Sequence, residues 1–337
     1  MNEHARPMFW FAVLLAIAAV VCVTALIFGA KAMTLAQALK ALSSPGSGTD
    51  AIIVWTLRMP RSIAAYLAGA ALAVAGYLLQ SITRNPLAAP DLTGVTAGAV
   101  AFIVATFVFL PAVSSAFYPA IGMLGGLMAA ALTLWAAHGG RASPLHLALA
   151  GITVALFLHA ITTYVLVRGG PQSPSVLFWL SGGFQGRSWP QVTYMLPWTF
   201  VGLGGALLCH RIIELLSLGD EAAAGIGANP ALWKLVLLVI SICLVAGVTP
   251  IAGPVAFVGL AAPHLVRLLR PGNALWSILL NVALGGCLLM TADALARSVA
   301  APREVPVSVF TALIGGPVFI FLTQRGPGIG GPGGRSR

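Results

Sequence analysis

Few residues of this chain could do chemistry, and their spacing limits which chemistry. Asp220 and Glu221 stand side by side within Leu215-Leu216-Ser217-Leu218-Gly219-Asp220-Glu221-Ala222-Ala223-Ala224-Gly225-Ile226, a stretch between long apolar runs that has no aromatic residue. Read locally, Ser217 to Gly225 is a short small-residue helix. Ser217 caps it, the acids fill its first turn, where the macrodipole favours negative charge, and Gly225 ends it. Its flat alanine face fits a groove on another protein, while a solvated connector, as most charged inter-span loops are, is the plainer reading. Asp293 is the one acid inside an apolar run, where an ion-coupled carrier would place a carboxylate. Arg297 follows four residues later on the same helical face, so a structural ion pair at the interface is the simpler account. His159, in the middle of another apolar run, and His264, just after Pro263, each suit a pathway-facing imidazole or a hydrogen-bonded structural one.

Other chemistries fall away. A phosphate-cradling loop ends in Gly-Lys-Ser/Thr, and none of the three lysines, Lys31, Lys40 and Lys234, follows a glycine. ATP-Mg, if used, is therefore expected on a partner. Enzymes acting on lipid or prenyl substrates need clustered acids or a His/Asp/Glu metal set. The sequence offers neither, so no catalytic residue, cofactor or metal ligand is assigned. Cys22, Cys209, Cys243 and Cys287 lie in apolar runs without metal or redox spacing and read as small buried hydrophobes.

The elements that must position these residues are membrane spans. Of 337 residues 59% are hydrophobic and only 8% charged, against roughly 25% charged in a soluble domain. Such a chain cannot clothe itself in a water-facing surface, so an all-α polytopic membrane protein is expected. The net charge of +10 does not indicate nucleic acid, because the cations are scattered singly between apolar runs. Ten crossings can be drawn, several of them broken or short: Met8–Ala30, Ser62–Thr83, two within Leu92–Gly140 divided at Pro111 and Pro119, Leu145–Val167, Gln191–Cys209, Ala231–Gly247, Val255–Leu269, Ala274–Ala296 and Val305–Thr323. Small residues at Gly69, Ala73 and Gly76 admit a close neighbour helix. Thr249-Pro250-Ile251-Ala252-Gly253-Pro254 is expected to break its helix at depth, where irregular backbone survives only inside protein or beside water. Gly315-Gly316-Pro317 is expected to interrupt the last span. Residues 1–324 form one transmembrane domain with a loop at about 212–230, followed by a flexible Gly/Pro/Arg tail at 325–337.

Ten crossings put both termini on one side. Ten Lys and Arg residues fall on that side and eight on the other, which points to cytoplasmic termini. The outward set is Lys31, Lys40, Arg58, Arg61, Arg168, Arg187, Arg297 and Arg303, opposed only by Asp50 and Glu304.

Several stretches carry a resemblance. Arg58-Met59-Pro60-Arg61, Gly69-Ala70-Ala71-Leu72-Ala73-Val74-Ala75-Gly76, and Gln80 with Arg84-Asn85-Pro86-Leu87-Ala88-Ala89-Pro90 come first. Trp179-Leu180-Ser181-Gly182-Gly183, Leu216 to Ala223, Gly253 to His264 and Pro302-Arg303-Glu304-Val305-Pro306-Val307 follow in order. The chain resembles the ferric-siderophore, haem and vitamin B12 family of ABC-importer permeases from about residue 55 to 320. The resemblance implies a ten-helix subunit in the inner membrane, paired with itself or a paralogue, two cytoplasmic ATP-binding cassette ATPases, and a soluble substrate-binding protein outside. It assigns ATPase coupling to Ser217, Leu218, Gly219, Asp220, Glu221, Ala222, Ala223 and Gly225. Binding-protein docking falls on Arg58, Arg61 and Arg297, with Arg303 beside them in the outward set. An inner gate falls around Ser143, Pro144 and Leu145, near the start of the pathway-lining helix that carries His159. Pro144 and Leu145 depart from the small hydroxyl residues of the B12-type pattern. An iron-siderophore, haem or cobalamin-like chelate is the implied cargo, and an ion-coupled secondary carrier using Asp293 and the membrane histidines is the alternative.

Overall fold

The computed structural model describes residues 5–29, 31–46, 48–137, 144–169, 174–301 and 303–325. All regular structure among them is helical. The order is α1 (Ala5–Ile27), α2 (Leu35–Ser43), α3 (Gly48–Ile52), a π-helical stretch Ile53–Arg58 leading into α4 (Met59–Thr83), α5 (Val95–Phe109) and α6 (Tyr118–Ala137). Then come α7 (Pro144–Arg168), α8 (Pro174–Leu180), α9 (Trp189–Leu208), α10 (His210–Ser217), α11 (Asp220–Gly225), α12 (Pro230–Ala252), α13 (Val258–Leu268), α14 (Ala274–Ser298) and α15 (Val307–Arg325). Six of these helical segments are long and apolar enough to cross a membrane; α9 and α10, bent by 54°, make a seventh if taken together. Three shorter apolar stretches, Val95–Phe109, Val258–Leu268 and Val307–Pro317 within α15, accompany them.

Helix α4 sits at the centre, with 17 of its 25 residues buried, and packs against α14, α12, α13 and α9. Its composition explains why. Apolar helices in a bilayer gain little from shedding lipid, so close backbone approach has to bind them. A Cβ on Gly69 would overlap the carbonyl of Gly285 in α14, and one on Gly76 would overlap the carbonyl of Gly259 in α13. Ala73 supplies the methyl that fills the space above Gly285. The small residues singled out from the sequence are therefore the seam. A second group, α5, α6 and α7, shares a core of Ala97, Ala101, Ala129, Val154, Ala155 and Leu158.

The boundaries differ from the expected ones in three places. Helix α12 does not stop at Gly247 but runs through Pro250 to Ala252, and the break begins at Gly253, whose φ is +67°. The end of the helix is satisfied from α8 and the residues after it: Trp179 Nε1 donates to Pro250 O (3.1 Å) and the Gly183 N–H to Ala252 O (2.8 Å). Chain direction is restored at Phe257, an aromatic residue held at φ +69°, just before α13. Helix α15 is continuous through Gly315, Gly316 and Pro317 rather than interrupted. Ser217 closes α10, its Oγ donating to Glu214 O (2.6 Å), and does not cap the helix that follows. Beyond Arg325 the tail lies outside the described residues.

Replacing Gly69 by Val should force α4 and α14 apart and cost more than about 3 kcal/mol, at the upper end of overpacking penalties. Gly204→Val in α9, where nothing lies within 4 Å, should cost under about 1 kcal/mol. Thermal unfolding of the two purified variants checks the contrast; equal midpoints would remove the seam argument.

Candidate functional site

Two polar assemblies lie at opposite ends of α4. At its C-terminal end, Arg84 adopts the left-handed conformation (φ +50°) that terminates the helix. Its Nη2 donates to Leu216 O (3.0 Å), the carbonyl near the end of α10, and to Asp220 Oδ1 (2.5 Å). Asp220 Oδ2 meets Lys234 Nζ (2.5 Å), in the first turns of α12. One carboxylate therefore ties the short helix α11 to two spans. The Lys234 hydrogen bond, with charge from Lys234 and Arg84, holds the Asp220 carboxyl below its ordinary value. The tether is thus complete above about pH 4 and is lost only as pH falls through the lowered value.

Helix α11 carries Asp220 and Glu221 in its first turn, as the macrodipole favours. Gly219 at φ +124° turns the chain into it. Ala223 is fully buried, whereas Glu221, Ala222, Ala224 and Gly225 are exposed. On either side stand Leu218 and Ile226, 73% and 70% exposed. Two large apolar side chains thus stand open on a segment outside every span, braced from behind by ion pairs. Such exposed apolar side chains on a braced segment are suited to contact with another protein.

At the other end of α4, Arg61 is almost wholly buried and forked between two acids. Its Nε and Nη2 reach Asp293 Oδ1 (2.9 and 2.8 Å), and Nη1 reaches Glu304 (2.9 Å). Asp293, with no exposed side chain, also receives Arg297 Nε at 3.1 Å. The pair expected from the spacing is present, with a third partner 232 residues away that spacing could not reveal. Arg58 is buried as well and donates to the carbonyls of Leu26, Ile27 and Lys31 at the end of α1. Of the four arginines assigned to docking, only Arg303 is exposed. Arg61 and Arg297 turn inward because α4 and α14 meet here and a desolvated cation needs its counter-charge within the fold, whereas Arg58 is held by backbone carbonyls alone. Nearby Arg187, in the loop before α9, leaves its Nε without a partner; burial and the charge of Arg61 push its guanidinium below its ordinary value.

The gate residues fare differently. Ser143 lies outside the described residues, and Pro144 and Leu145 open α7. His159 is on the exposed face of α7, opposite the buried stripe of Val154, Ala155, Leu158 and Thr162. His264 is half-buried, its Nδ1 3.1 Å from Arg267 Nη2. The structure brings none of these together with Asp293. Sequence reasoning missed Glu214, whose Oε1 accepts the Ala274 N–H (2.8 Å) at the start of α14, and the Arg84 and Lys234 tethers.

The two assemblies should respond unequally to loss of charge. Asp293→Asn removes the carboxylate paired with buried Arg297 and one of the two that hold Arg61, and should cost about 3–5 kcal/mol. Asp220→Asn should cost no more than about 1 kcal/mol, speeding amide exchange in α11 while leaving the global unfolding midpoint unchanged. Hydrogen exchange with thermal unfolding measures both, and comparable global losses would contradict the assignment.

Comparison with known proteins agrees with this architecture. The iron(III)-citrate import permease YfmD of Bacillus subtilis is 37% identical over 300 residues, covering 88% of this chain and 89% of its own. The ferric enterobactin permease FepD of Escherichia coli is 35% identical over 302 residues, covering 89% and 90%. A metal-chelate-type ABC transporter solved in an inward-facing conformation superposes with a TM-score of 0.80 at 27% identity, over 95% of this chain and 99% of that one. The sequence pattern of the FecCD transport family matches residues 15–325, and the chain belongs to that family of membrane permeases.

Proposed function

We propose that this chain is the membrane-spanning permease of an ATP-driven importer that carries an iron chelate of the siderophore or citrate type into the cell. The observation that carries the reading is α11: an acidic, small-residue helix outside the spans, with Leu218 and Ile226 exposed beside it and Asp220 bound to α4 and α12. Force applied to that helix reaches two spans through one carboxylate. Two ATPase subunits supply the force, since no phosphate-cradling loop is present in this sequence. ATP-dependent closure of the ATPases then shifts the spans between outward-open and inward-open states.

The six long spans, the bent α9–α10 pair and the three shorter helices together make ten crossings, with both termini cytoplasmic and α11 on the inner face. Two copies, or this chain and a paralogue, enclose the pathway, with the exposed face of α7 and His159 available to line it. On the outer face a binding protein docks through acidic residues. Arg303 is open to them, and Arg58, Arg61 and Arg297 are the cations behind it. The names of the relatives, iron(III)-citrate and ferric enterobactin permeases, support a ferric chelate as cargo.

Reconstituted with its ATPase and binding protein, the Asp220→Lys/Glu221→Lys variant should insert normally and keep basal ATP hydrolysis, but lose at least tenfold in ATP-driven chelate uptake. Unchanged uptake would refute the coupling role. Wild-type vesicles lacking ATPase but given a proton or sodium gradient should accumulate no chelate; accumulation there would instead favour a carrier built on Asp293.

A further inference from the structure

The transport reading leaves one built feature unused. An open cleft of about 590 Å³ lies at the Asp220 end, between the last turn of α4, helix α10, the end of α13 and the start of α14. Arg267 forms one wall. It gives Nη1 to Gln80 Oε1 (2.6 Å) and Nη2 to His264 (3.1 Å), both neutral acceptors. No carboxylate lies within ion-pair distance of Arg267 among the described residues. Gln80, also lining the cleft, is 6% exposed and has no hydrogen-bond partner for its Nε2. A buried amide N–H left unpaired is destabilising unless a ligand takes it.

The remaining walls favour the same kind of guest. Asn273 and Ala274 open the 25-residue helix α14, whose positive dipole end faces the cleft. Glu214 is the one carboxylate among the lining residues, and its Oε1 already accepts the Ala274 N–H. Arg84 lines the cleft too, although Asp220 holds its Nη2. Ser81 and Ser277 add hydroxyls, and Ile213 and Pro271 add apolar surface. A guanidinium without a counter-ion, an unpaired amide and a helix N-terminus converge on one open space. All of them stand at the ends of apolar helices, the depth of lipid headgroups.

We propose that this cleft binds a phosphate group, carried by the headgroup of an anionic phospholipid or free in solution. Arg267 supplies the charge and Gln80 the unpaired donor, while the Ser81 and Ser277 hydroxyls suit the glycerol of a headgroup and the apolar side its acyl chains. The site depends neither on the coupling role of α11 nor on the identity of the cargo.

Native mass spectrometry of the full chain in detergent, with phosphatidylglycerol or phosphatidylcholine added, tests this. Phosphatidylglycerol should be retained about fivefold more than phosphatidylcholine, the preference expected for one interfacial cation. Arg267→Gln should abolish the preference and Arg267→Lys restore most of it. Gln80→Leu should weaken retention, since it removes the unpaired Nε2 donor together with the Oε1 that orients Arg267. Displacement of the lipid by added inorganic phosphate would assign recognition to the phosphate alone, and retention would show that the glycerol contributes. Equal retention of the two lipids, or a preference untouched by Arg267→Gln, overturns the proposal.

Discussion

The structure depends on how closely α4 can be approached. In hydrocarbon there is no solvent to expel between two apolar helices, so cohesion comes from backbone-to-backbone packing that larger side chains would block. Gly69 against Gly285 and Gly76 against Gly259 provide it on two sides of one helix. The same closeness produces the polar features. Where α4 and α14 meet at the far end, Arg61 and Arg297 have no route to water and must share Asp293. Where α4 and α13 meet at the near end, Gln80 and Arg267 are pressed together beside the cleft, and the Gln80 Nε2 is left without a partner.

Helix α4 is thereby a single rigid body with an ionic assembly at each end. Arg61 begins it and Arg84 terminates it, and both are bound to residues more than a hundred positions away. A displacement of α11 that moves Asp220 therefore bears directly on α4. Helix α14, fixed to α4 through Asp293 and the glycine seam, follows. No chain of small side-chain rearrangements is needed between the two ends, because one packed element spans the distance.

Much of this was legible in the sequence, and the part that was not has a physical reason. Composition alone implied the membrane, and the small residues of α4 marked the helix seam because only close packing explains so many of them together. The Asp293–Arg297 pair followed from helical spacing, and the acids of α11 were placed correctly in its first turn. Ser217 was misjudged because a serine before two acids looks like a cap, whereas Leu215 and Leu216 continue the amphipathic helix α10 up to it. Pro250 looked like a stop signal, yet the helix runs two residues past it to an end whose carbonyls Trp179 and Gly183 take, contacts that local sequence could not show. The inward turn of Arg58 and Arg61 was equally invisible. An arginine at a span end reads as an anchor in the headgroups until its partners, hundreds of residues away or on backbone carbonyls, are known.

The two ends also differ in how firmly they are held, and the difference suits their places in the fold. Asp293 is dry and shared by two guanidinium groups, so withdrawing either partner would leave a buried charge exposed to hydrocarbon; this junction stays closed. Asp220 is about half exposed, as is Arg84, so water and salt can replace each partner at small cost. The force-carrying role proposed for α11 is better served by the second kind of contact. The permanent bond keeps α4 and α14 as one body, and the exchangeable one lets α11 shift against them without unfolding either.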